Sequence, residues 1–429
     1  MDETVLDKYD ISQKEVTCSM TQAKHTKSFL FVLGFSCPFP GAGWNRISYL
    51  ARYLMDHGIA CSILSTFFPL TIKRAHAKKM EICVAKNIRI YNIIPQIPVE
   101  NPFLIILNNL IAFIFSLPFC LFKRPDLLII SIWPANQLLC AFWLSKLLRT
   151  KLVIDYRDEV EENWISYGKK PRFFYELMKK VLIKIYRNSY LVTPTTPAVA
   201  DNLEQKGVRN IHIVADGVDT TLFKPLDKGE MRSRLNIPED IFVLVFLGYV
   251  YDAYRVDIIV KALRILKEKN ARNESKYLLI VVGGGKIKEL LAYADNLRVS
   301  SMVRYVGVID DPEEVVKVIN AADVGIIPYG DNPSLRRMFP TKLFEYTACG
   351  IPVIGTLYDD SILAKYLRKH SIGITVPPLD SKSLAKAIED IRNVLKNQSE
   401  LNSNALSFAR KYDKAKIAEE LLSRLLKGD

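Results

Sequence analysis

Short apolar runs alternate with helical stretches along most of the chain, and this alternation constrains the fold more than any other feature of the sequence. In the first half, strands are predicted at residues 28–35, 59–65, 127–132, 151–155 and 190–192. In the second half the alternation starts again, with strands predicted at residues 241–247, 277–282, 303–308, 324–328 and 351–354. Apolar strands separated by helices are typical of parallel sheets with helices on both faces. The sequence therefore predicts an α/β protein with two Rossmann-like, doubly wound domains.

The length of the chain agrees with two domains. A chain of 429 residues is too long for a comfortable single core. We predict a polar tail at residues 1–27, an N-terminal domain at residues 28–212 and a C-terminal domain at residues 213–405. We also expect the last helix, at about residues 406–429, to pack back on the N-terminal domain.

The composition restricts the classes of partner. The formal net charge of +13 favours an anionic partner, such as a nucleotide, a lipid phosphate or an acidic membrane surface. A nucleic acid is disfavoured, because no helix-turn-helix, zinc-binding or RNA-recognition signature accompanies the charge. The seven cysteines contain no C-x-x-C pair and indicate reduced thiols, and the polar start of the chain indicates no secretory signal. We therefore expect a cytoplasmic protein.

The segment 338–354, MFPTKLFEYTACGIPVI, combines a helix start, a cation and a carboxylate. Pro340 is predicted at the first helical position, where its missing N–H is not needed, and the free N–H groups that follow favour an anion. Lys342 adds a positive charge in the first turn, and Glu345 offers acceptor oxygens that suit the diol of a ribose. Together these groups suit a nucleoside diphosphate. The alternative is a local Lys342–Glu345 ion pair on an ordinary helix.

Glycines occur where a predicted strand meets a helix in both halves of the chain. Gly43 follows the first strand, and Gly283 follows the strand at residues 277–282. Glycine at such a position lets backbone N–H groups approach a phosphate or a sugar closely, but it also forms plain tight turns. The dinucleotide-binding fingerprint is not met, because Arg46 stands where its third glycine belongs, and a dehydrogenase is therefore disfavoured.

Eight motifs in a fixed order give the chain a resemblance to a known family. They are PFPGAGWNRISYLARYLMDHG, RPDLLIIS, LVIDYRDEVEE, IHIVADGVDTTLFKP, LIVVGGG, VRYVGVIDD, AADVGIIPY and PTKLFEYTACGIPVI. From residue 28 onward, the sequence resembles a GT-B glycosyltransferase of family 4. The resemblance implies two Rossmann-like domains facing each other across a cleft, with a nucleotide sugar held mainly by the C-terminal domain. It also implies sugar transfer with retention of configuration and without a metal or other cofactor, and no Asp-x-Asp motif occurs in the sequence.

The resemblance assigns candidate roles residue by residue. Glu345 matches the glutamate that holds the ribose of the donor. The loop and helix start beside the donor phosphates match Phe339, Pro340, Thr341 and Lys342. Gly43 matches the glycine loop of the N-terminal domain near the donor and the acceptor. Gly248 and Gly283 are further candidate donor-binding residues. The pattern P-x-K-x-x-E-Y is typical of a subgroup of the family.

The chain departs from the family pattern at several charged or ionisable positions. The family's paired glutamate would fall on Arg337, and the basic pair that follows Gly248 would fall on Tyr249 and Tyr254. Arg255 is a candidate substitute for that basic pair, although it is equally typical of a surface helix start. The frequent active-site histidine after the fourth strand of the N-terminal domain is also missing.

Asp158 is the candidate polar group of the N-terminal domain. A carboxylate at the C-terminal end of a strand faces the crevice where ligands of α/β proteins bind. Asp158 would accept the proton of the acceptor hydroxyl or orient the sugar. The alternative is an aspartate that caps the next helix, with Glu161 completing a capping-box-like pattern. Asp155 is interpreted as structural.

Two segments bear on the acceptor. Residues 103–122 carry no formal charge and are long enough to span a bilayer, but polar residues interrupt them. We interpret them as a core helix or as a helix that dips into a membrane. Residues 169–187 form a basic amphipathic pattern with Lys179, Lys180 and Lys184, which suits an anionic lipid surface but also an ordinary surface helix.

These observations predict a glycosyltransferase that moves a sugar from a nucleoside diphosphate sugar to a glycan or a lipid-linked acceptor. Asp158 and Glu345 are the predicted catalytic residues. We expect the protein in the cytoplasm, on the inner face of the cell membrane. The alternatives are a sugar-nucleotide epimerase or hydrolase of the same fold and an inactive GT-B scaffold, since one glutamate and the basic pair of the family are missing.

Overall fold

The structure, a computed structural model, describes most of the chain after residue 26. The described residues are 27–38, 42–69, 80–97, 102–132, 137–162, 172–251, 254–269, 276–330, 333–397 and 400–427. They form two α/β domains, each with its own sheet, which confirms the predicted fold class. The predicted polar tail, apart from Lys27, lies outside the described residues.

The N-terminal domain contains a seven-stranded sheet. Its strands are β1 (Ser28–Leu33), β2 (Ala60–Phe67), β3 (Glu81–Ala85), β4 (Ile88–Pro95), β5 (Leu127–Ser131), β6 (Lys151–Tyr156) and β7 (Leu191–Pro194). The strand order is β3-β4-β2-β1-β5-β6-β7, and all neighbouring strands are parallel except β3 and β4. The five strands predicted in this half are confirmed to within two residues at each end.

The hairpin of β3 and β4 is absent from the sequence prediction. Strand β4 carries Arg89 and Asn92, so it lacks the continuous apolar run that marks the other strands. Asn92 is buried, and its side-chain amide donates to Cys37 O at 2.6 Å while its oxygen accepts from Cys37 N at 3.1 Å. A buried amide satisfied in this way is compatible with an inner strand.

Helices cover both faces of this sheet. They are α1 (Ala42–Asp56), α2 (Pro102–Lys123), α3 (Leu138–Leu148), α4 (Arg172–Arg187) and α5 (Pro197–Gln205). One hydrophobic cluster joins the sheet to α1, and another joins its opposite face to the other four helices. The first three residues of the predicted basic helix at 169–187 lie outside the described residues.

The C-terminal domain contains a six-stranded sheet whose neighbouring strands are all parallel. Its strands are β8 (Phe242–Leu247), β9 (Tyr277–Val282), β10 (Val303–Gly307), β11 (Val324–Pro328), β12 (Val353–Thr356) and β13 (Gly373–Val376). The order β10-β9-β8-β11-β12-β13 is that of a doubly wound Rossmann sheet, and its strand order reverses between β8 and β11. Ligands of such sheets bind at the carboxyl ends of the strands beside this reversal.

Nine α-helices are described in the second half of the chain. They are α6 (Lys228–Arg234), α7 (Val256–Lys269), α8 (Ile287–Asn296), α9 (Pro312–Ala321), α10 (Thr341–Ala348), α11 (Ile362–Lys369), α12 (Ser381–Asn397), α13 (Glu400–Lys411) and α14 (Lys414–Leu426). The last of them, α14, inserts Leu421, Leu422 and Leu425 into the hydrophobic cluster that contains Trp44 of α1. The end of the chain therefore belongs to the N-terminal core.

The chain crosses between the domains twice, first near Val218 and again near Tyr412. We call these crossings the first and the second passage, and they lie side by side. Val218 N donates to Tyr412 O at 3.0 Å, and Lys414 N donates to Val218 O at 2.9 Å. Gly217 adopts a positive φ of 61°, and a Cβ there would lie 2.6 Å from Tyr412 O. Glycine is therefore required where the first passage crosses the second.

Arg46 ties α1 and β6 to the first passage. It is 4% exposed, and its Nη2 lies 2.8 Å from Asp155 Oδ1. The same guanidinium donates to the carbonyl oxygens of Val214 and Ala215 at 2.9 and 2.7 Å and to Asp216 at 3.3 Å. A buried ion pair with this many additional hydrogen bonds keeps its geometry, so Asp155 is structural, as interpreted from the sequence.

Candidate active site

The start of α10 lies at the carboxyl end of β8. The helix begins at Thr341, and Pro340 precedes it with an extended backbone (φ −76°, ψ 141°). The prediction of Pro340 at the first helical position is therefore wrong by one residue. No side chain of the described residues caps this helix start. The N–H of Leu343 donates to Pro340 O at 2.9 Å, and the N–H groups before it start the helix without a side-chain cap, which favours an anion there.

The side chain of Lys342 is buried, with 6% of its surface exposed. Within the described part of the chain, its Nζ has no hydrogen-bond partner, so the alternative, a local Lys342–Glu345 ion pair, is present only as an attraction without a direct hydrogen bond. The Nζ atom lies 4.4 Å from the ring centroid of Phe246 and 3.9 Å from that of Tyr254. A Cβ at Gly248 would lie 3.1 Å from Nζ, so this glycine leaves room for the ammonium group.

The surroundings of Lys342 disfavour its charged form. Burial lowers the pKa of Lys342 to about 7, and the nearby carboxylate of Glu345 opposes this effect only in part. Aromatic faces attract a cation, but they replace only part of its hydration. A buried lysine whose charged form is disfavoured in this way is typical of a binding site in which an anionic ligand stabilises the ammonium group.

Tyr346 fixes the position of α10 against β8. Its hydroxyl accepts a hydrogen bond from Leu247 N at 2.9 Å and donates one to Val245 O at 3.2 Å. Its ring covers Gly325, where any Cβ would overlap the ring. Tyr346 follows Lys342 by about one helical turn, so both side chains lie on the face of α10 that packs on β8. This packing explains the tyrosine in P-x-K-x-x-E-Y.

Glu345 lies three residues after Lys342 and is half-buried. Burial raises the pKa of its carboxyl group, and the positive charges of Lys414 and Lys342 oppose this effect. Lys414 is the first residue of α14, where the chain enters the N-terminal domain for the second time. Glu345 therefore lies between one cation of its own helix and one from the junction of the domains.

The side chain of Phe339 belongs to the core. It is 6% exposed, and its ring centroid lies 4.9 Å from that of Tyr366, 6.0 Å from that of Phe344 and 6.5 Å from that of Tyr412. The predicted contact of Phe339 with the donor phosphates is therefore restricted to its backbone. The sequence motif places this residue next to the site because it anchors the loop that precedes α10.

Gly283 is required by the packing of two loops against each other. Gly248 and Gly283 have φ values of 131° and 132°, and a Cβ at position 283 would overlap the carbonyl oxygen of Gly248. Only glycine fits this contact. The tight-turn interpretation therefore explains Gly283, and a contact of Gly283 with the donor stays a prediction.

Arg255 is paired at the start of α7. Its Nε and Nη2 donate to the two carboxylate oxygens of Asp257 at 2.8 and 2.9 Å. This bidentate pair favours the surface helix-start interpretation over a role in place of the missing basic pair. The ring of Tyr254, at the position of one of those basic residues, instead lies beside the ammonium group of Lys342. In this chain the positive charge next to Tyr254 comes from Lys342 of α10.

Asp158 follows β6 at the carboxyl end of the first sheet. Burial raises the pKa of Asp158 to about 6; Arg157 opposes this effect, and Asp216 adds to it. Burial also raises the pKa values of Tyr254 and Tyr329 in the C-terminal domain, and the charge of Asp158 contributes to both increases. Asp158 therefore lies close to the aromatic residues that surround Lys342.

The capping box proposed as the alternative role of Asp158 is not formed, because Glu161 is engaged elsewhere. Its buried carboxylate accepts hydrogen bonds from the hydroxyls of Tyr156 at 2.6 Å and Tyr186 at 3.2 Å. It also forms an ion pair with Lys206 at 3.1 Å. These contacts hold Glu161 in the core, away from the backbone that a capping box would require.

Arg337, which stands in place of the family's paired glutamate, connects the two domains. Its Nη2 lies 2.7 Å from Glu159 Oε2, and Glu159 is fully buried and also accepts a hydrogen bond from Asn202. Thr196 Oγ1 donates to Arg337 O at 2.6 Å. Sequence reasoning found this departure but missed its partner, because 178 positions separate Glu159 and Arg337 and no local pattern links them.

Sequence reasoning also missed the aromatic lining of the site. The ring centroids of Tyr254 and Tyr329 are 5.5 Å apart, and that of Tyr251 lies 4.9 Å from Tyr254. The local signal was the cluster of tyrosines in GYVYDAYR at residues 248–255, which we interpreted only as the loss of a basic pair.

Comparisons with known proteins agree with this geometry. Residues 44–222 match the family described as Glycosyltransferase Family 4, and residues 227–411 match the family described as Glycosyl transferases group 1. The chain belongs to the GT-B glycosyltransferases of the family 4 type. Its structure is similar to that of sucrose-phosphate synthase from Thermosynechococcus elongatus, with a TM-score of 0.75 and 18% identity over 94% of this chain and 100% of the other.

Two further comparisons concern a nucleotide complex and a curated relative. The GT-B chain is similar in structure to Anabaena HepE in complex with UDP, with a TM-score of 0.68 and 17% identity over 93% of this chain and 100% of that chain. It is 28% identical, over 220 residues, to D-inositol 3-phosphate glycosyltransferase from Actinosynnema mirum, which covers 49% of this chain and 50% of the relative. The GT-B chain thus spans about half the length of the curated relatives it matches.

The buried ammonium group of this GT-B protein predicts a specific dependence of stability on pH. The pKa of Lys342 is about 7 in the folded state and about 10.4 in the unfolded state, so between these values the unfolded state binds more protons. The unfavourable effect of Lys342 is therefore fully present below pH 7 and is relieved as the pH rises. The free energy of unfolding of the wild type, relative to Lys342→Met, should rise by about 1.4 kcal/mol per pH unit between pH 7 and 9.

Urea unfolding at pH 6, 7, 8 and 9 measures this difference. Lys288→Met is the matched control, because Lys288 is an exposed lysine near the start of α8. The control should show no such slope over the same range. A difference between wild type and Lys342→Met that is independent of pH would contradict the buried, unpartnered state of Lys342.

Proposed function

We propose that this protein transfers a hexose from a nucleoside diphosphate sugar to an acceptor hydroxyl, with retention of configuration. The buried ammonium group of Lys342, without a hydrogen-bond partner among the described residues, is the observation that supports this most directly. An ammonium group beside an uncapped helix start matches a diphosphate, and the carboxylate of Glu345 one turn later matches a ribose diol. The similar HepE structure contains UDP, which agrees with a nucleoside diphosphate donor.

The leaving group is the nucleoside diphosphate. When the bond between the anomeric carbon and the diphosphate oxygen breaks, negative charge grows on the diphosphate. Lys342 and the first N–H groups of α10 would stabilise that charge from fixed positions. Because these groups supply positive charge at the leaving group, we propose that the reaction needs no metal. Retention of configuration follows from the family resemblance and is part of the proposal.

Asp158 is the proposed acceptor of the proton from the acceptor hydroxyl. A pKa of about 6 leaves its carboxylate ionised at neutral pH and close to the value that suits proton transfer. Asp158 lies at the carboxyl end of β6, so it faces the part of the cleft where ligands of doubly wound sheets bind. Glu345 would hold the donor ribose, so the two predicted catalytic carboxylates act on different substrates.

An epimerase or hydrolase of the same fold would use a similar donor site, and an inactive scaffold would not need one. The state of Lys342 argues against a scaffold, because a buried cation without a partner destabilises the fold and has no structural benefit here. Transfer is favoured over epimerisation by the N-terminal domain, which offers a carboxylate at the cleft and an exposed apolar surface.

That surface begins on α2, whose polar residues face the protein. Asn108 Nδ2 donates to Ile97 O at 2.8 Å, and Asn109 Oδ1 accepts from Cys140 N at 3.0 Å. The outward side carries exposed apolar side chains one or two turns apart, which are Phe103, Leu107, Leu110, Ile114 and Leu121. Among the described helices, α2 is the one long and apolar enough to cross a membrane, and 33% of it is buried. A core helix would show the opposite distribution.

Helix α4 continues this surface with basic residues. The ring centroid of Phe103 on α2 lies 5.0 Å from that of Phe174 on α4, so the two helices are adjacent. Helix α4 exposes a row of apolar and basic side chains, which are Phe173, Leu177, Lys180 and Lys184. We define these residues and the exposed side of α2 as the α2–α4 surface. Lys179, the third predicted docking lysine, is half-buried and pairs with Glu162 at 3.0 Å, so its charge is already compensated.

We propose that the α2–α4 surface docks on an anionic membrane from the cytoplasmic side. Exposed apolar side chains would enter the interface between headgroups and acyl chains, while Lys180 and Lys184 would attract the headgroups. This arrangement would bring a lipid-linked acceptor to the N-terminal domain, which carries Asp158. The acceptor would then be a glycan carried on a lipid.

Two variants test the donor site, because each should lose affinity for a different set of ligands. Glu345→Gln should weaken binding of the matching nucleoside diphosphate by roughly 10- to 100-fold, as for a lost charged hydrogen bond, but should leave pyrophosphate binding unchanged because pyrophosphate has no ribose. Lys342→Met should weaken both ligands. Thermal shift with UDP-, GDP- and ADP-sugars identifies the donor, and calorimetry gives the affinities.

Glu289→Gln, at an exposed position of α8, is the control variant and should bind both ligands like the wild type. Product analysis with the identified donor then separates transfer, epimerisation and hydrolysis. If Glu345→Gln bound nucleoside diphosphate as tightly as the wild type, Glu345 would not contact the ribose.

The membrane proposal predicts a loss of liposome binding in Lys180→Gln/Lys184→Gln. Each basic residue near an anionic surface contributes about 1 kcal/mol, so the double variant should bind anionic liposomes roughly 30-fold more weakly at low salt. Lys382→Gln/Lys386→Gln is the matched control, because these two lysines are also four residues apart and exposed, but on α12. Sedimentation with liposomes measures both.

The apolar part of the same surface is tested in parallel. Leu110→Ser/Ile114→Ser should bind less to liposomes at every salt concentration, whereas Ile82→Ser/Val84→Ser, at exposed apolar positions of β3, should bind like the wild type. A wild-type protein that ignores anionic liposomes at low ionic strength would show that this surface does not dock on membranes.

A further inference from the structure

Arg157 carries two buried nitrogen atoms that no described residue satisfies. It follows the last residue of β6, and its Nε and Nη1 are buried without a hydrogen-bond partner among the described residues. Leaving a buried charged donor unsatisfied is strongly unfavourable, and native proteins rarely do so without a functional reason. The residue is not part of any donor-site role assigned above.

Arg46 provides an internal comparison. It lies in the same domain, is more deeply buried than the half-buried Arg157, and donates from Nε, Nη1 and Nη2 to acceptors of the protein. The described residues therefore satisfy the guanidinium of Arg46 but leave two nitrogens of Arg157 without an acceptor. Within this part of the chain, these two donors remain available to a ligand.

The space around Arg157 is kept open by a glycine. A Cβ at Gly43, in the first turn of α1, would lie 3.2 Å from Arg157 Nη1 and 3.5 Å from Phe35 Cζ. A side chain at position 43 would therefore press against the guanidinium group. Asp158, the neighbouring residue, is close enough for Arg157 to oppose the increase in its pKa. Arg157 thus lies on the side of the cleft that the N-terminal domain forms, which we call the N-terminal wall. It is next to Asp158, the proposed proton acceptor.

We propose that Arg157 binds a phosphate group of a substrate at this wall. A guanidinium group offers parallel N–H donors that match two oxygens of a phosphate. That the phosphate belongs to a substrate rests on the proposed function. The phosphate has two possible sources, which are the acceptor and the donor diphosphate. The acceptor is favoured, because Lys342 already faces the donor from the opposite domain while Arg157 adjoins Asp158.

Inorganic phosphate is the probe that tests this site. It is titrated by calorimetry into the full chain, both free and saturated with the nucleoside diphosphate found in the donor screen. The wild type should bind phosphate in both states, and Arg157→Gln should bind it at least about tenfold more weakly, while Arg157→Lys should recover part of the loss. Lys342→Met, in the presence of saturating nucleotide, should bind phosphate like the wild type.

The same titrations identify the source of the phosphate. If phosphate binds only to the nucleotide-free protein and Arg157→Gln also loses nucleoside diphosphate affinity, Arg157 contacts the donor. If nucleotide affinity is unchanged in Arg157→Gln, the phosphate belongs to the acceptor. If Arg157→Gln binds phosphate and nucleotide like the wild type, the site does not exist.

A purely structural role for Arg157 is separated by thermal unfolding. Because two of its buried nitrogens make no internal hydrogen bonds, Arg157→Gln should unfold at a temperature equal to or above that of the wild type. A clear decrease, together with unchanged phosphate binding in the folded protein, would overturn the proposal. If the wild type binds no nucleoside diphosphate at all, the proposed function fails, but the phosphate titration of the free protein still tests Arg157.

Discussion

The ammonium group of Lys342 is buried at the carboxyl end of β8 without a hydrogen-bond partner in the described chain, and the surrounding part of the C-terminal domain is built to hold it there. Tyr346 fixes α10 through two backbone groups of β8, and Gly248 leaves room for the ammonium group. Phe246 and Tyr254 supply aromatic faces but no hydrogen-bond acceptor at Nζ. These contacts fix the position of the charge while leaving its solvation incomplete. A diphosphate at the start of α10 would complete it, and the positions of the charges would need little change when the ligand arrives.

The N-terminal wall of the cleft is organised by a different set of charges. Arg46 and Asp155 form a saturated buried pair that joins α1 and β6 to the first passage between the domains. Arg337 and Glu159 form a second pair, which joins the domains directly. With these pairs in place, Arg157 alone among the three arginines keeps buried donors without an acceptor among the described residues. The paired charges hold the two domains together, and the incompletely paired cations, Lys342 and Arg157, are the groups that we propose for substrate binding.

The sequence predicts the parts of this protein that depend on local patterns. Continuous apolar strands and the segment that contains Lys342 and Glu345 are visible in a few consecutive residues. Strand β4 is not, because Asn92 breaks its apolar run and is satisfied by residues of other segments, among them the distant Cys37. The partner of Arg337 is equally invisible, since it depends on the packing of the two domains. Local motifs also say which residues adjoin a site but not which way they point. For this reason Phe339 was predicted beside the phosphates, although its ring is part of the core.

Proton uptake on donor binding tests the central role of Lys342 most directly. At pH 8 the free protein holds Lys342 mainly in its neutral form, since its pKa is about 7, whereas a bound diphosphate favours the ammonium form. Calorimetric titration of the nucleoside diphosphate in buffers with different enthalpies of ionisation should therefore reveal uptake of close to one proton in the wild type and none in Lys342→Met. A binding enthalpy of the wild type that does not depend on the buffer at pH 8 would contradict the assignment of Lys342 as the cation that meets the donor phosphates.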